Sequence, residues 1–134
     1  MLGMREITEH VVPGDASPQL KIYAEDKRGS GGANYRYVIV GFDSTHNPSG
    51  SDDDMHDILT ILYQNGPIKE AGVNGVSNEA LLAVVIDRLR SFQAGPFSSP
   101  LNEAALEAGL SMLGLLKSRT VDRIARGVEG VSRA

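Results

Sequence analysis

The chain has 134 residues, 41% of them hydrophobic and 22% charged, a balance that argues against wholesale disorder. It holds no Cys, which removes disulfide scaffolds and thiolate metal sites, and no apolar run nears the ~20 residues a bilayer span needs. A formal net charge of −4 runs against binding of nucleic acid polymers, which calls for a broad basic excess.

Aromatics are scarce at 5% and Trp is absent, so any core rests on Leu, Ile, Val, Ala and Met. The stretch 1–9 is too charged for a signal peptide. These features predict a soluble cytoplasmic protein with no membrane partner. At about 100–200 residues per domain, the length predicts a single domain over 1–134. Within it, 1–76 reads as β-rich, 77–127 as a helical hairpin and 128–134 as a tail. Charge divides the same way: residues 1–77 carry six Lys and Arg against eleven Asp and Glu, and 78–134 carry seven against six.

A strand is predicted over 5–12, closed by Pro13-Gly14. Residues 19–25 alternate Leu20, Ile22 and Ala24 with Lys21, Tyr23 and Glu25, the period of a half-buried strand. Residues 34–42 do the same, with Tyr35, Tyr37 and Ile39 opposite Arg36, Val38 and Val40. The glycine-rich stretch 26–32 reads as the hairpin loop between them. Residues 57–63 are apolar and β-branched and run into the turn signal Asn65-Gly66-Pro67. Together they predict a small antiparallel sheet. Residues 64–75 are long for a turn, and their Asn-Gly steps point to tight left-handed positions.

The first helix is capped by Ser77 or Asn78, with Glu79 in its opening turn, where the dipole favours a carboxylate. Leu81, Val85, Leu89 and Phe92 share a stripe, and Gly95-Pro96 stops the helix. The second starts with Ser99 as N-cap and Pro100 as first residue, runs to Arg126 and stops at Gly127. At 1.5 Å per residue it spans about 40 Å, against a radius of gyration of about 14 Å for a compact chain of this length. A small sheet cannot cover two such helices, so the plain expectation is an α+β fold whose hairpin oligomerises.

On the second helix Leu101, Ala105, Ala108, Met112 and Leu115 form a stripe that Arg119, Arg123 and Arg126 continue. Guanidiniums in an apolar seam call for carboxylates or a bound anion; otherwise they extend past the core or complement the helix dipole. Phe92 and Asn102 flank the Gly95-Pro96-Phe97 bend. They suit either a base or sugar, or plain core with a helix-turn bond. Asn102 and Arg119 stand 17 residues apart, about 25 Å along one helix. One small ligand reaches both only if two hairpins pair antiparallel, which predicts a symmetric dimer with two equivalent pockets.

Several segments carry a family resemblance. They are Gln64-Asn65-Gly66-Pro67-Ile68-Lys69-Glu70, Gly72-Val73-Asn74-Gly75, Asp87-Arg88-Leu89, Phe92-Gln93-Ala94-Gly95-Pro96-Phe97, Asn102, and Arg119-Thr120 followed by Arg123 and Arg126-Gly127-Val128-Glu129-Gly130. In these the chain resembles the first-described Thoeris anti-defence sponge family of phages, whose hairpin is shared with an anti-CBASS sponge family. The resemblance covers roughly 19–130.

It implies a non-enzymatic binder with no cofactor. Such a protein acts in the host bacterial cytoplasm and sequesters glycocyclic ADP-ribose, the signal made by Thoeris TIR proteins. Some members also hold cyclic di- or trinucleotides of CBASS immunity in separate sites, as hexamers built from three dimers. Carried onto this chain, the stacking aromatic is Phe92, its polar partner is Asn102, and the phosphate-binding residues are Arg119 and Arg123 with Thr120 beside them.

The glycine-rich loop 28–34 lacks Walker spacing and a following helix, so by itself it reads as a hairpin loop. The family's second site makes Arg28, Gly32 and Asn34 candidates for cyclic-oligonucleotide binding through a backbone nest. No Ser-His-Asp spacing, catalytic carboxylate pair or metal motif stands out. His46, His56 and Asp52–Asp54 read as a solvated loop rather than a metal site. The alternative function is a phage adaptor that binds a host protein through the hairpin.

Overall fold

The computed structural model describes residues 5–15, 19–51 and 57–127. The chain divides into two compact units, Met1–Tyr63 and Gln64–Ala134. Asp52–Asp54, His56 and the stretch after Gly127 lie outside the described residues.

The first unit is a four-stranded antiparallel meander of β1 (Arg5–Ile7), β2 (Lys21–Ala24), β3 (Arg36–Val40) and β4 (Leu59–Leu62), in the order β1-β2-β3-β4. The register pairs Ile22 with Ile39 and Ala24 with Tyr37, and then Tyr37 with Ile61. Paired residues share a face, so the two predicted alternations fall on one apolar side of the sheet. The rings of Tyr37 and Tyr63 meet edge to face there, 5.8 Å apart. Ala24 and Val38 are both buried, on opposite faces.

The strands are shorter than their alternation suggested. β1 ends at Ile7 because the chain turns, with Val11 N–H donating to the Thr8 carbonyl. β3 ends before Gly41, whose φ of 97° no side chain adopts easily. A Cβ at Gly41 would also fall 1.9 Å from the Gln19 carbonyl oxygen, so this turn requires glycine.

The second unit opens with a loop that closes on itself. Gln64 Nε2 donates to the carbonyls of Gly66 and Gly72, while its Oε1 accepts the Asn74 N–H. Asn74 returns a reciprocal pair of bonds to the backbone of Asn65. Left-handed positions occur at Gly66 and Gly72, and a one-turn helix, α1 (Ile68–Ala71), forms between them. Of the two Asn-Gly steps expected to be left-handed, Asn65-Gly66 is, at its glycine, and Asn74-Gly75 is not; nothing in the sequence pointed to α1.

Two long helices follow, α2 (Asn78–Gln93) and α3 (Pro100–Ala125). The Ser77 and Ser99 side chains cap them, Pro100 is the first residue of α3, and Gly127 is left-handed just past its end. The pair is antiparallel: Gln93 Nε2 donates to Glu103 Oε2 at the bend, and Thr120 Oγ1 donates to Glu79 Oε2 at the far end. Ile86 is only 3% exposed and Leu106 is buried. Gly109 faces Ile86 across the helix pair, where a Cβ would lie 3.4 Å from Ile86 Cγ1 and a longer side chain would have to push it aside.

The packed face of α3 runs through Asn102, Leu106, Gly109, Leu113, Leu116 and Thr120, all buried or half-buried. The neighbouring stripe of Leu101, Ala105, Ala108, Met112 and Leu115 is exposed instead. Leu101 is 82% and Leu115 74% accessible. Of the two stripes α2 packs on the one holding Leu106 and Gly109, where Ile86 faces Gly109.

Candidate functional site

At the bend, the last turn of α2 presents Phe92. The guanidinium of Arg88, one turn earlier, lies over its ring, 5.0 Å from the centroid, within cation–π range. The connection is held by Gln93, whose Oε1 accepts the Ser99 N–H at 3.0 Å while its amide reaches Glu103. Ser99 Oγ in turn accepts the Asn102 N–H, which places Asn102 in the first turn of α3. Its side-chain amide stands 3.5 Å from the Phe97 carbonyl, at the long limit for a hydrogen bond.

These residues frame an open groove with two lobes, about 580 and 490 Å³. Val84, Arg88, Phe92 and Phe97 line both lobes, Asp87 borders the first and Asn102 the second. Phe97 is 72% exposed. Two aromatic rings, a cation and an amide around a mainly apolar groove suit a planar heteroaromatic group carrying negative charge. The structure therefore brings Phe92 and Asn102 to the same groove. It adds Phe97 and Arg88, to which the sequence reading gave no role. The signal for Arg88 was its i, i+4 spacing to Phe92, which puts the two side chains on neighbouring turns.

Arg119, Thr120 and Arg123 sit at the other end of the hairpin. Thr120 Oγ1 donates to Glu79 Oε2 at 3.2 Å, and Thr120, Glu79 and Arg123 are all half-buried. Arg119 is exposed. Arg126 pairs with Asp122 at 3.0 Å, an ordinary i, i+4 surface pair. Along α3 the backbone positions of Asn102 and Arg119 remain about 25 Å apart, too far for one hairpin to bring both residues to a single small ligand.

In the glycine-rich loop of the first unit, Arg28 Nη1 donates to the Gly32 carbonyl and Tyr35 Oη to the Ser30 carbonyl. Gly31 and Gly32 take left-handed conformations. Asn34 is only 6% exposed and fully engaged. Its Oδ1 accepts from Arg5, and its amide donates to the Asp26 carbonyl and carboxylate. Asp26 also accepts the N–H groups of Tyr35 and Arg36. Burial alone would raise the Asp26 carboxyl, but these donors outweigh it and hold it below its ordinary value of 3.8. Asn34 thus has a structural task in closing the β2–β3 loop, and Arg28 and Gly32 are tied to each other.

Among the described residues no three His, Asp or Glu side chains gather as a metal site requires. No helix among them is long and apolar enough to cross a membrane. No family model matches the chain. It is similar to a Thoeris anti-defense 1 protein of Bacillus phage SBSphiJ7, at 32% identity over 148 aligned positions that cover 95% of this chain and 97% of the relative. Similarity at that level along nearly the whole of both chains, over a fold whose strands and helices follow the expected order, shows that this chain belongs to the Thoeris anti-defense 1 family.

Proposed function

We propose that the protein inhibits Thoeris defence by sequestering glycocyclic ADP-ribose in the host cytoplasm without altering it. The observation that carries the ligand reading is the split of complementary chemistry between the two ends of one hairpin. The aromatic groove of Phe92, Phe97 and Asn102 suits adenine and ribose, while Arg119, Thr120 and Arg123 at the far end suit a pyrophosphate through charge-assisted bonds. Antiparallel pairing of two hairpins sets the groove of one beside the arginines of the other, giving two equivalent pockets per dimer. The exposed stripe from Leu101 to Leu115 supplies apolar surface for that pairing. Higher assembly builds on the dimer.

The test is isothermal titration of the purified protein with glycocyclic ADP-ribose, followed by heating and chromatography of what is released. Sub-micromolar binding near one ligand per chain, with intact ligand recovered, supports the reading. Recovery of a cleaved product would make the protein an enzyme. Absence of binding to this ligand and to cyclic oligonucleotides would favour a hairpin adaptor for a host protein.

A further inference from the structure

Glu79 brings a carboxylate to the arginine end of the hairpin, against Thr120. A first-turn glutamate is favoured by the helix dipole, but that preference does not account for its reach across the hairpin, where Oε2 accepts the Thr120 hydroxyl at 3.2 Å. Arg123 lies three residues beyond Thr120 and so neighbours it on α3, and Arg119 adjoins Thr120 in the chain. A threonine hydroxyl has one proton. With that proton given to Glu79, Thr120 turns lone pairs rather than a donor toward an arriving phosphate oxygen.

We propose that Glu79 is a specificity-setting residue that screens the arginine end against simple phosphate anions. It withholds the Thr120 proton and adds a negative charge beside that hydroxyl, so a bare phosphate or pyrophosphate meets a weakened site. A ligand that is also anchored through its base in an aromatic groove has interaction energy to spare and binds despite the carboxylate. Discrimination of this kind rests on an element that disfavours competitors as much as on one that favours the ligand. The inference rests on the assignment of Arg119, Thr120 and Arg123 to anion binding.

The probe is inorganic pyrophosphate, titrated calorimetrically into the wild-type protein, Glu79→Gln and Glu79→Asp at two salt concentrations. Glu79→Gln removes the charge and leaves an amide of the same size. It is expected to bind pyrophosphate about tenfold more tightly than wild type, the scale of one like charge removed at short range. Its affinity should also fall more steeply with salt. Glu79→Asp keeps the charge and stays as weak as wild type. With its NH2 turned to Thr120 Oγ1 the amide of Glu79→Gln donates instead of accepting, which releases the hydroxyl proton, so adding Thr120→Val to Glu79→Gln cancels part of the gain.

A Glu79→Gln protein of wild-type helicity that binds pyrophosphate no more tightly than wild type overturns the inference. So does a Glu79→Asp protein that gains as much as Glu79→Gln. A purely structural carboxylate would instead give weaker binding and a lower melting temperature in both variants. Failure of the underlying ligand reading shows separately, as no uptake of glycocyclic ADP-ribose by the wild type.

Discussion

Phe92, the proposed stacking platform, sits in surroundings that need no ligand to arrange them. Arg88 lies over the ring, and Gln93 bridges Ser99 and Glu103 so that the bend is fixed. Stacking of a base on an aromatic ring contributes about 1–3 kcal/mol, so Phe92→Ala should weaken uptake of glycocyclic ADP-ribose about tenfold or more. Arg123→Ala should lose a comparable amount, since bonds to charged groups contribute about 1.5–3 kcal/mol. Calorimetry checks both, and a variant that keeps wild-type affinity removes that residue from the site. At Asp26 the prediction concerns stability. Asp26→Asn keeps one acceptor oxygen where Asp26 offers two, and its amide must face the N–H of Tyr35 or Arg36. The expected cost is about 1–2 kcal/mol by chemical denaturation at neutral pH. Because folding lowers this carboxyl, its contribution is complete at pH values above 3.8 and disappears as acid protonates the folded form. The variant should therefore lose less stability than wild type over that acid range.

Among the elements, helix ends were the most legible part of the chain. Ser77, Ser99, Pro100 and Gly127 act through local chemistry that needs no knowledge of the rest of the molecule; the structure uses the last three as the sequence indicated and selects Ser77 over Asn78 as the first cap. Strand centres were legible from their alternation, but strand ends were not, because the turn at Thr8–Val11 and the close approach at Gly41 depend on neighbouring segments. The packed face of α3 was missed for a different reason. Apolar content favours the Leu101–Leu115 stripe, whereas close packing favours the one with Gly109 and Thr120. That Phe92 and Asn102 meet at the bend was legible from their positions; Glu79 as a partner of Thr120 was not, since the pairing joins residues 41 apart in the chain. The two α3 glycines offer a contrast that tests this packing. A Cβ at Gly114 meets nothing within 4 Å, so Gly114→Ala should raise stability by about 0.8–1 kcal/mol through helix propensity alone. Gly109→Leu must push against Ile86 and should lower it by about 1–3 kcal/mol. Thermal melts of the two variants should move in opposite directions.

For the whole molecule the open question is what covers the outer stripe of α3. Leu101, Met112 and Leu115 are all more than half exposed, and a fully buried side chain of this size contributes about 1.5–3 kcal/mol relative to an exposed one. An isologous contact uses each such residue twice, once from each protomer. Burying the stripe against its own copy would also set the bend of one hairpin beside the arginines of the other, and would then couple assembly to the proposed ligand binding through this surface. Leu115→Glu puts a carboxylate into that contact without touching the packed face of α3, and it should leave helicity intact while lowering the mass seen by light scattering. Ligand affinity should fall with it, because each pocket then lacks its second half. If the mass falls and affinity persists, a single hairpin binds ligand alone and the two-ended pocket is wrong. If the mass does not change, the stripe is covered by something other than a second hairpin.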